Sequence, residues 1–132
     1  MNWLMDTLDG MERPSCLCHI DANVDNFLML ESGEVKLLDW EYAGMCDPAM
    51  DISMCAIYSY YGEEEMEKLF CLYLQREPEK EELFALYANA ALGGFLWSLW
   101  AVYKSVLGDE FGEYTIIMYR YAKKYYRKLR KL

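Results

Sequence analysis

Between Asp21 and Asp39 the chain has room for little but one compact arrangement. Phe27-Leu28-Met29-Leu30 and Val35-Lys36-Leu37-Leu38 are short apolar runs on either side of Glu31-Ser32-Gly33-Glu34, the pattern of two strands joined by a glycine-containing turn. A hairpin returns its second strand to where its first began, so Asp39 is expected beside Asp21 and Asn26. Three oxygen-bearing side chains then converge at the ends of strands. Taken singly, each reads as a polar residue in a surface turn, where Asp and Asn are common. The hairpin between them is what favours a shared site.

That convergence has a chemical meaning. Magnesium takes hard oxygen ligands, usually one or two carboxylates together with phosphate and water oxygens. Asn26 and Asp39 offer such a pair. Asp21 is left as a carboxylate able to orient a hydroxyl and accept its proton. An aspartate, an asparagine five residues on and a second aspartate across a hairpin form the phosphoryl-transfer arrangement of the protein-kinase fold.

The motif His19-x-Asp21-x-x-x-x-Asn26, followed by Leu38-Asp39-Trp40-Glu41-Tyr42-Ala43-Gly44 and Asp47-Pro48-x-x-Asp51-Ile52, resembles the choline/ethanolamine kinase family. The likeness is closest to bacterial choline kinases of the LicA type and more distant to the aminoglycoside phosphotransferases. It runs from about Cys16 to at least Tyr121, most of the chain. The resemblance implies Asp21 as catalytic base, Asn26 and Asp39 as magnesium ligands, and Glu41 as a further acidic group near a second metal. It implies that His19 holds the catalytic loop and that Asp51, at a helix start, braces the same loop through backbone N–H groups. One departure is Ile20-Asp21-Ala22, where many relatives carry Asn-Asp-Leu. Neither change removes the base or a metal ligand.

A second signal lies in Phe95-Leu96-Trp97-Ser98-Leu99-Trp100. At helical spacing Trp97 and Trp100 share a face, and Tyr103 is expected to continue it. Two indoles near an acidic site can hold a quaternary ammonium by cation–π attraction, about 0.5–2 kcal/mol per contact. Periodicity alone favours both indoles packing in the core, as aromatic stripes commonly do. The resemblance reverses that preference, because this segment is similar to the family's choline-pocket helix. Tyr58, Tyr60 and Tyr61 are candidates for another wall.

Charge narrows the partners. All 22 acidic residues lie at or before Glu113, while seven of the 13 basic ones fall between Arg120 and Lys131. An acidic body argues against nucleic acid as the main partner and suits a small cation; the basic tail reads as a solvated helix face. Five cysteines, an odd number without a secretory leader, point to reduced thiols and a cytoplasmic protein. A zinc site at Cys16, Cys18, His19 and Cys46 is disfavoured by the Cys-x-Cys spacing.

The rest reads as helices. Residues 1–9 form a short one, and Cys16-Leu17-Cys18 is a strand leading into the catalytic loop. Gly44 to Pro48 is read as a loop. Met50, Met54, Ile57, Tyr58 and Tyr61 mark a helix stopped by Gly62, and Glu63 to Arg76 forms the next. Leu83 to Tyr103 is an uncharged run of 21 residues, long enough to span a bilayer. Asn89 and Gly93-Gly94 interrupt it, its start is acidic and no other segment is similar, so a central buried helix is the better account. A long helix from Glu110 to Leu132 closes the chain.

Kinase-type transfer also uses a Gly-rich loop and a strand lysine paired with a helix glutamate. Only twenty residues precede Asp21, with one glycine and no lysine. The expected fold is therefore α+β and mainly α: the C-terminal lobe of a protein-kinase-like fold, without its ATP lobe. Residues 15–47 form the catalytic loop, hairpin and metal-binding segment, and residues 48–132 the helical acceptor-binding part. The function expected is transfer of the ATP γ-phosphate to choline or a related amino alcohol with Mg2+, impaired in this chain alone, whose exposed lobe-facing surface invites self-association. The alternatives are a non-catalytic choline-binding or protein-interaction module, and an aminoglycoside or sugar acceptor.

Overall fold

The computed structural model describes residues 1–131, and Leu132, where the last predicted helix was to end, lies outside them. Helix α1 (Asn2–Asp9) leads to strand β1 (Cys16–Cys18), a 3-10 turn (Val24–Asn26), β2 (Phe27–Met29), β3 (Val35–Leu37) and β4 (Gly44–Cys46). Helices α2 (Ala49–Tyr58), α3 (Glu63–Leu74), α4 (Lys80–Val106) and α5 (Tyr114–Leu129) follow. The fold is α+β and mainly helical: two small antiparallel sheets on a bundle centred on α4.

The hairpin forms as the apolar runs predict, with Phe27 opposite Leu37 and Met29 opposite Val35. Gly33 sits at φ +84° in its turn, a conformation glycine takes without strain. The segment read as a loop after Gly44 is instead a strand, pairing Cys16 with Cys46 and Cys18 with Gly44. Three residues with a glycine carry no alternation of their own; their partner, 28 positions back, supplies the structure.

Helix ends follow local chemistry. Asp47 Oδ1 accepts the Ala49 N–H at 2.8 Å at the start of α2. That helix ends at Tyr58, earlier than Gly62, and Tyr60 then turns through φ +57°. Glu79 and Glu82 form a reciprocal capping box at the start of α4, and Arg76 pairs with Glu82. Helix α5 begins at Tyr114 instead of Glu110; Gly112, at φ +52°, lies in the turn before it.

The core gathers Leu4 and Leu8 of α1, Met54 and Ile57 of α2, Met66 and Phe70 of α3, Leu86 and Tyr87 of α4, and Met118 and Tyr125 of α5. Helix α4 is long and apolar enough to cross a membrane, and 61% of that apolar stretch is buried inside the fold. Gly93 and Gly94 do not interrupt it. They are thin points: a Cβ on Gly94 would stand 2.7 Å from the Met118 carbonyl oxygen and 2.9 Å from the Ala122 nitrogen, so the missing side chain lets the backbones of α4 and α5 come close.

Candidate active site

The loop between β1 and β2 is held from three sides. Asp51, in the first turn of α2, accepts the His19 N–H on Oδ2 at 2.8 Å and the Ile20 N–H on Oδ1 at 2.7 Å. His19 is fully buried. Its Nε2–H donates to the Leu38 carbonyl at 2.6 Å, and its ring meets Trp40 edge-on at 4.9 Å. One imidazole thereby joins the loop to the residue before Asp39. Arg13, just ahead of β1, pairs with Asp47 at 3.1 Å and closes the far side.

The hairpin delivers the third oxygen-bearing side chain. Beyond its last strand pair, the Leu38 N–H donates to the Asn26 carbonyl at 2.8 Å, so Asp39 follows directly on the rung that carries Asn26. Ile20 and Asp39 both sit in the left-handed region, at φ +69° and +61°. A β-branched residue seldom adopts that conformation, and such strain concentrates where a loop is over-determined by its surroundings.

Asn26 Nδ2 donates to the Asp21 carbonyl at 3.0 Å and reaches Asp21 Oδ2 at 3.4 Å. Its amide oxygen and the exposed Asp39 carboxylate take no donor among the described residues. Hard oxygens left without protein partners at one hairpin end suit a magnesium ion, so the donor set fits one. Glu41 is exposed and makes no side-chain hydrogen bond or ion pair there.

Asp21 also faces an aromatic wall. The Tyr58 hydroxyl donates to Asp21 Oδ1 at 2.7 Å. Burial first, and then that bond, push the Tyr58 phenol well above the usual tyrosine range. Its ring packs on Trp97 at 5.9 Å, and Tyr42 meets the same indole edge-on at 6.2 Å. Trp97 and Trp100 stand edge to face at 5.6 Å, Trp100 meets Phe111 at 5.2 Å, and Phe111 meets Tyr114 at 6.1 Å. Burial, followed by Tyr60 and Asp21 nearby, pushes the Tyr114 phenol up.

Other predicted positions fall outside this wall. Tyr103 is 63% exposed. Each three-residue step on a helix turns about 60° short of a full circle, so Tyr103 has rotated off the Trp97 face. Lys104 takes its place, with Nζ 5.8 Å from the Trp100 ring. Tyr60 and Tyr61 are exposed, and the Tyr61 carbonyl accepts the Tyr121 hydroxyl at 2.7 Å. Sequence reasoning gave no pocket role to Tyr42, Phe111 and Tyr114. The position of Tyr42, three residues past Asp39, was the one available signal; the other two depend on how α5 crosses α4.

Comparison with known proteins bears on this arrangement. The model of the APH family, described as a phosphotransferase enzyme family, matches residues 1–130. Human ethanolamine kinase 2 is 28% identical over 142 residues, covering 89% of this chain and 36% of that protein. The structure of the choline kinase LicA from Streptococcus pneumoniae superposes with a TM-score of 0.78 at 30% identity, over 99% of this chain and 45% of that one. A structure of LicA in complex with AMP gives a TM-score of 0.80 at 30% identity, over 97% and 44%. The chain thus spans less than half the length of the relatives it matches.

Proposed function

This chain belongs to the phosphotransferase enzyme family, and from that premise we propose that its site serves transfer of the ATP γ-phosphate to the hydroxyl of choline or a close amino alcohol. The observation that carries the reading is the continuity from Asp21 through Tyr58 to Trp97, a carboxylate hydrogen-bonded to the end of an aromatic wall. The choline kinase and ethanolamine kinase among its relatives, and the LicA solved with AMP, support the acceptor and nucleotide classes.

In this reading Trp97 and Trp100, with the rings of Tyr42 and Tyr58, receive the ammonium head. Aromatic faces attract such a cation without having to satisfy N–H donors, which suits a quaternary ammonium. The hydroxyl arm then extends to Asp21. As the acceptor oxygen forms its bond to the γ-phosphorus, the bond from that phosphorus to the β–γ bridging oxygen breaks. ADP leaves with that electron pair, and the hydroxyl proton passes to Asp21. Asn26 and Asp39 would hold magnesium, which supplies neutralisation of phosphate charge; Glu41 is held in reserve as an outer acidic group. His19 and Asp51 keep the loop in place. A cytoplasmic setting, where ATP is at hand, belongs to the same proposal.

Tryptophan-fluorescence titration with choline, with ethanolamine as comparator, tests the pocket. Saturable quenching that disappears in Trp97→Ala is expected. Turnover in the full-length protein tests the base. Asp21→Asn is expected to abolish it, and normal turnover in that variant would remove the assignment. An absence of any choline response together with intact folding would favour the protein-interaction reading.

A further inference from the structure

We propose that Tyr58 is the positioning residue for Asp21: its hydroxyl fixes Oδ1 of the carboxylate and leaves Oδ2 to meet the acceptor hydroxyl. The proposal rests on the amino-alcohol phosphotransferase reading and goes beyond it, because that reading uses Tyr58 only as a wall.

The fold gives Tyr58 two attachments that a wall residue does not need. Tyr58 and Asp51 lie seven residues apart on α2, two turns along one face. Asp51 holds the backbone of His19 and Ile20 from that face, and Tyr58 holds the side chain of Asp21 from it at 2.7 Å. One helix therefore sets both the path of the loop and the rotation of the base. The second attachment is the ring, tilted 52° against Trp97 at 5.9 Å, which limits where the hydroxyl can point.

The chemistry of a carboxylate gives that contact its consequence. Its terminal torsion is broad and roughly two-fold, so side-chain sterics set its rotation only loosely. A donor on one oxygen removes the equivalence of the two. Asn26 touches Oδ2 only at 3.4 Å, and leaves it approachable. The phenol, pushed well above the ordinary tyrosine range by burial and by this bond, stays protonated at working pH and acts only as a donor to Asp21.

The test is Tyr58→Phe in the full-length protein, which keeps the ring and deletes the donor. The choline dissociation constant from tryptophan quenching, and the KM for choline, are expected to stay within about two-fold, because ring contacts remain. kcat is expected to fall about ten-fold, the size of a lost alignment. As a measurement independent of turnover, Tyr58→Phe is expected to lower the melting temperature of the wild type but not that of Asp21→Ala, which has no acceptor left for the hydroxyl.

A raised KM and dissociation constant with unchanged kcat would mean that Tyr58 is only a wall, and equal melting losses in both backgrounds would mean that the bond is not what it contributes. Either overturns the proposal and leaves the amino-alcohol reading standing. A wild-type protein that shows no choline response overturns both.

Discussion

The backbone N–H of Ile20 lies 2.7 Å from Oδ1 of Asp51 while Ile20 itself is turned to φ +69°. The two observations belong together, since a β-branched residue in that conformation relaxes unless something holds it. Asp51→Ala is expected to lower stability by about 2–4 kcal/mol, from two lost hydrogen bonds to a charged group. Asp51→Asn, which keeps one acceptor, should lose roughly half of that. Thermal denaturation measures both; a loss in Asp51→Ala under about 1 kcal/mol would show that the loop stands without its brace.

Gly93 and Gly94 should answer differently to the same substitution. A Cβ on Gly94 meets the backbone of α5, which cannot step aside, so Gly94→Ala is expected to cost about 1–3 kcal/mol. On Gly93 it meets the flexible end of Met54, and the helix gains roughly 1 kcal/mol of propensity in return. Gly93→Ala should be close to neutral. Equal losses in the two melts would contradict the packing described.

The aromatic wall predicts a gradient of binding effects. Trp97 touches the rings of Tyr42, Tyr58 and Trp100, whereas Trp100 is partly open to solvent. Trp97→Ala should weaken choline binding about ten-fold or more, Trp100→Ala less, and Tyr103→Ala by under about two-fold. Calorimetric titration of the three variants gives the order, and an effect of Tyr103 as large as that of Trp97 would move the pocket along the helix.

Alkaline pH should unfold this protein early. Burial pushes the phenols of Tyr58, Tyr87, Tyr114 and Tyr125 well above the usual tyrosine range. Such a phenol keeps its proton when folded at a pH where the unfolded chain has released it. Its contribution is fully present below about pH 10 and declines as the pH rises past that value. Melting temperatures between pH 8 and 12 should be flat and then fall. A curve that stays flat to pH 12 would place these hydroxyls in water.

Tyr125 offers a sharper case. Its hydroxyl is buried without a hydrogen-bond partner among the described residues, stacked between Tyr87 at 5.3 Å and Tyr121 at 6.2 Å. Removing an unsatisfied polar group from a core is neutral or stabilising, so Tyr125→Phe should melt at or above the wild-type temperature. A loss of about 1 kcal/mol or more would reveal a partner such as a bound water.

Local pattern carried much of this architecture. The two apolar runs and Gly33 place the hairpin, and the acidic first turns at Glu63–Glu65 and Glu81–Glu82 place α3 and α4, because these signals act within a few residues. β4 was not legible: its three residues become a strand only through Cys16–Cys18. The site divides in the same way. Asp21, Asn26, Asp39, Trp97 and Trp100 stand in motifs, while the donor role of Tyr58 and the placement of Phe111 and Tyr114 arise from three helices meeting. Tyr103 was misplaced by assuming that steps of three keep to one face, when each step drifts.

Gly94 sits one helical turn before Trp97, on the surface that α5 approaches. Tyr114 opens α5 and meets Phe111 at 6.1 Å, and Phe111 meets Trp100 of α4 at 5.2 Å, so the separation of the two helices bears on that chain of rings. The spacing of the aromatic wall that the proposed reading assigns to the acceptor is thus gauged from beneath by a residue that has no side chain of its own. Resizing the proposed site for a bulkier or slimmer head group need not begin with the aromatic residues themselves; shimming the two helices apart at Gly94 would shift the wall while leaving each of those residues unsubstituted.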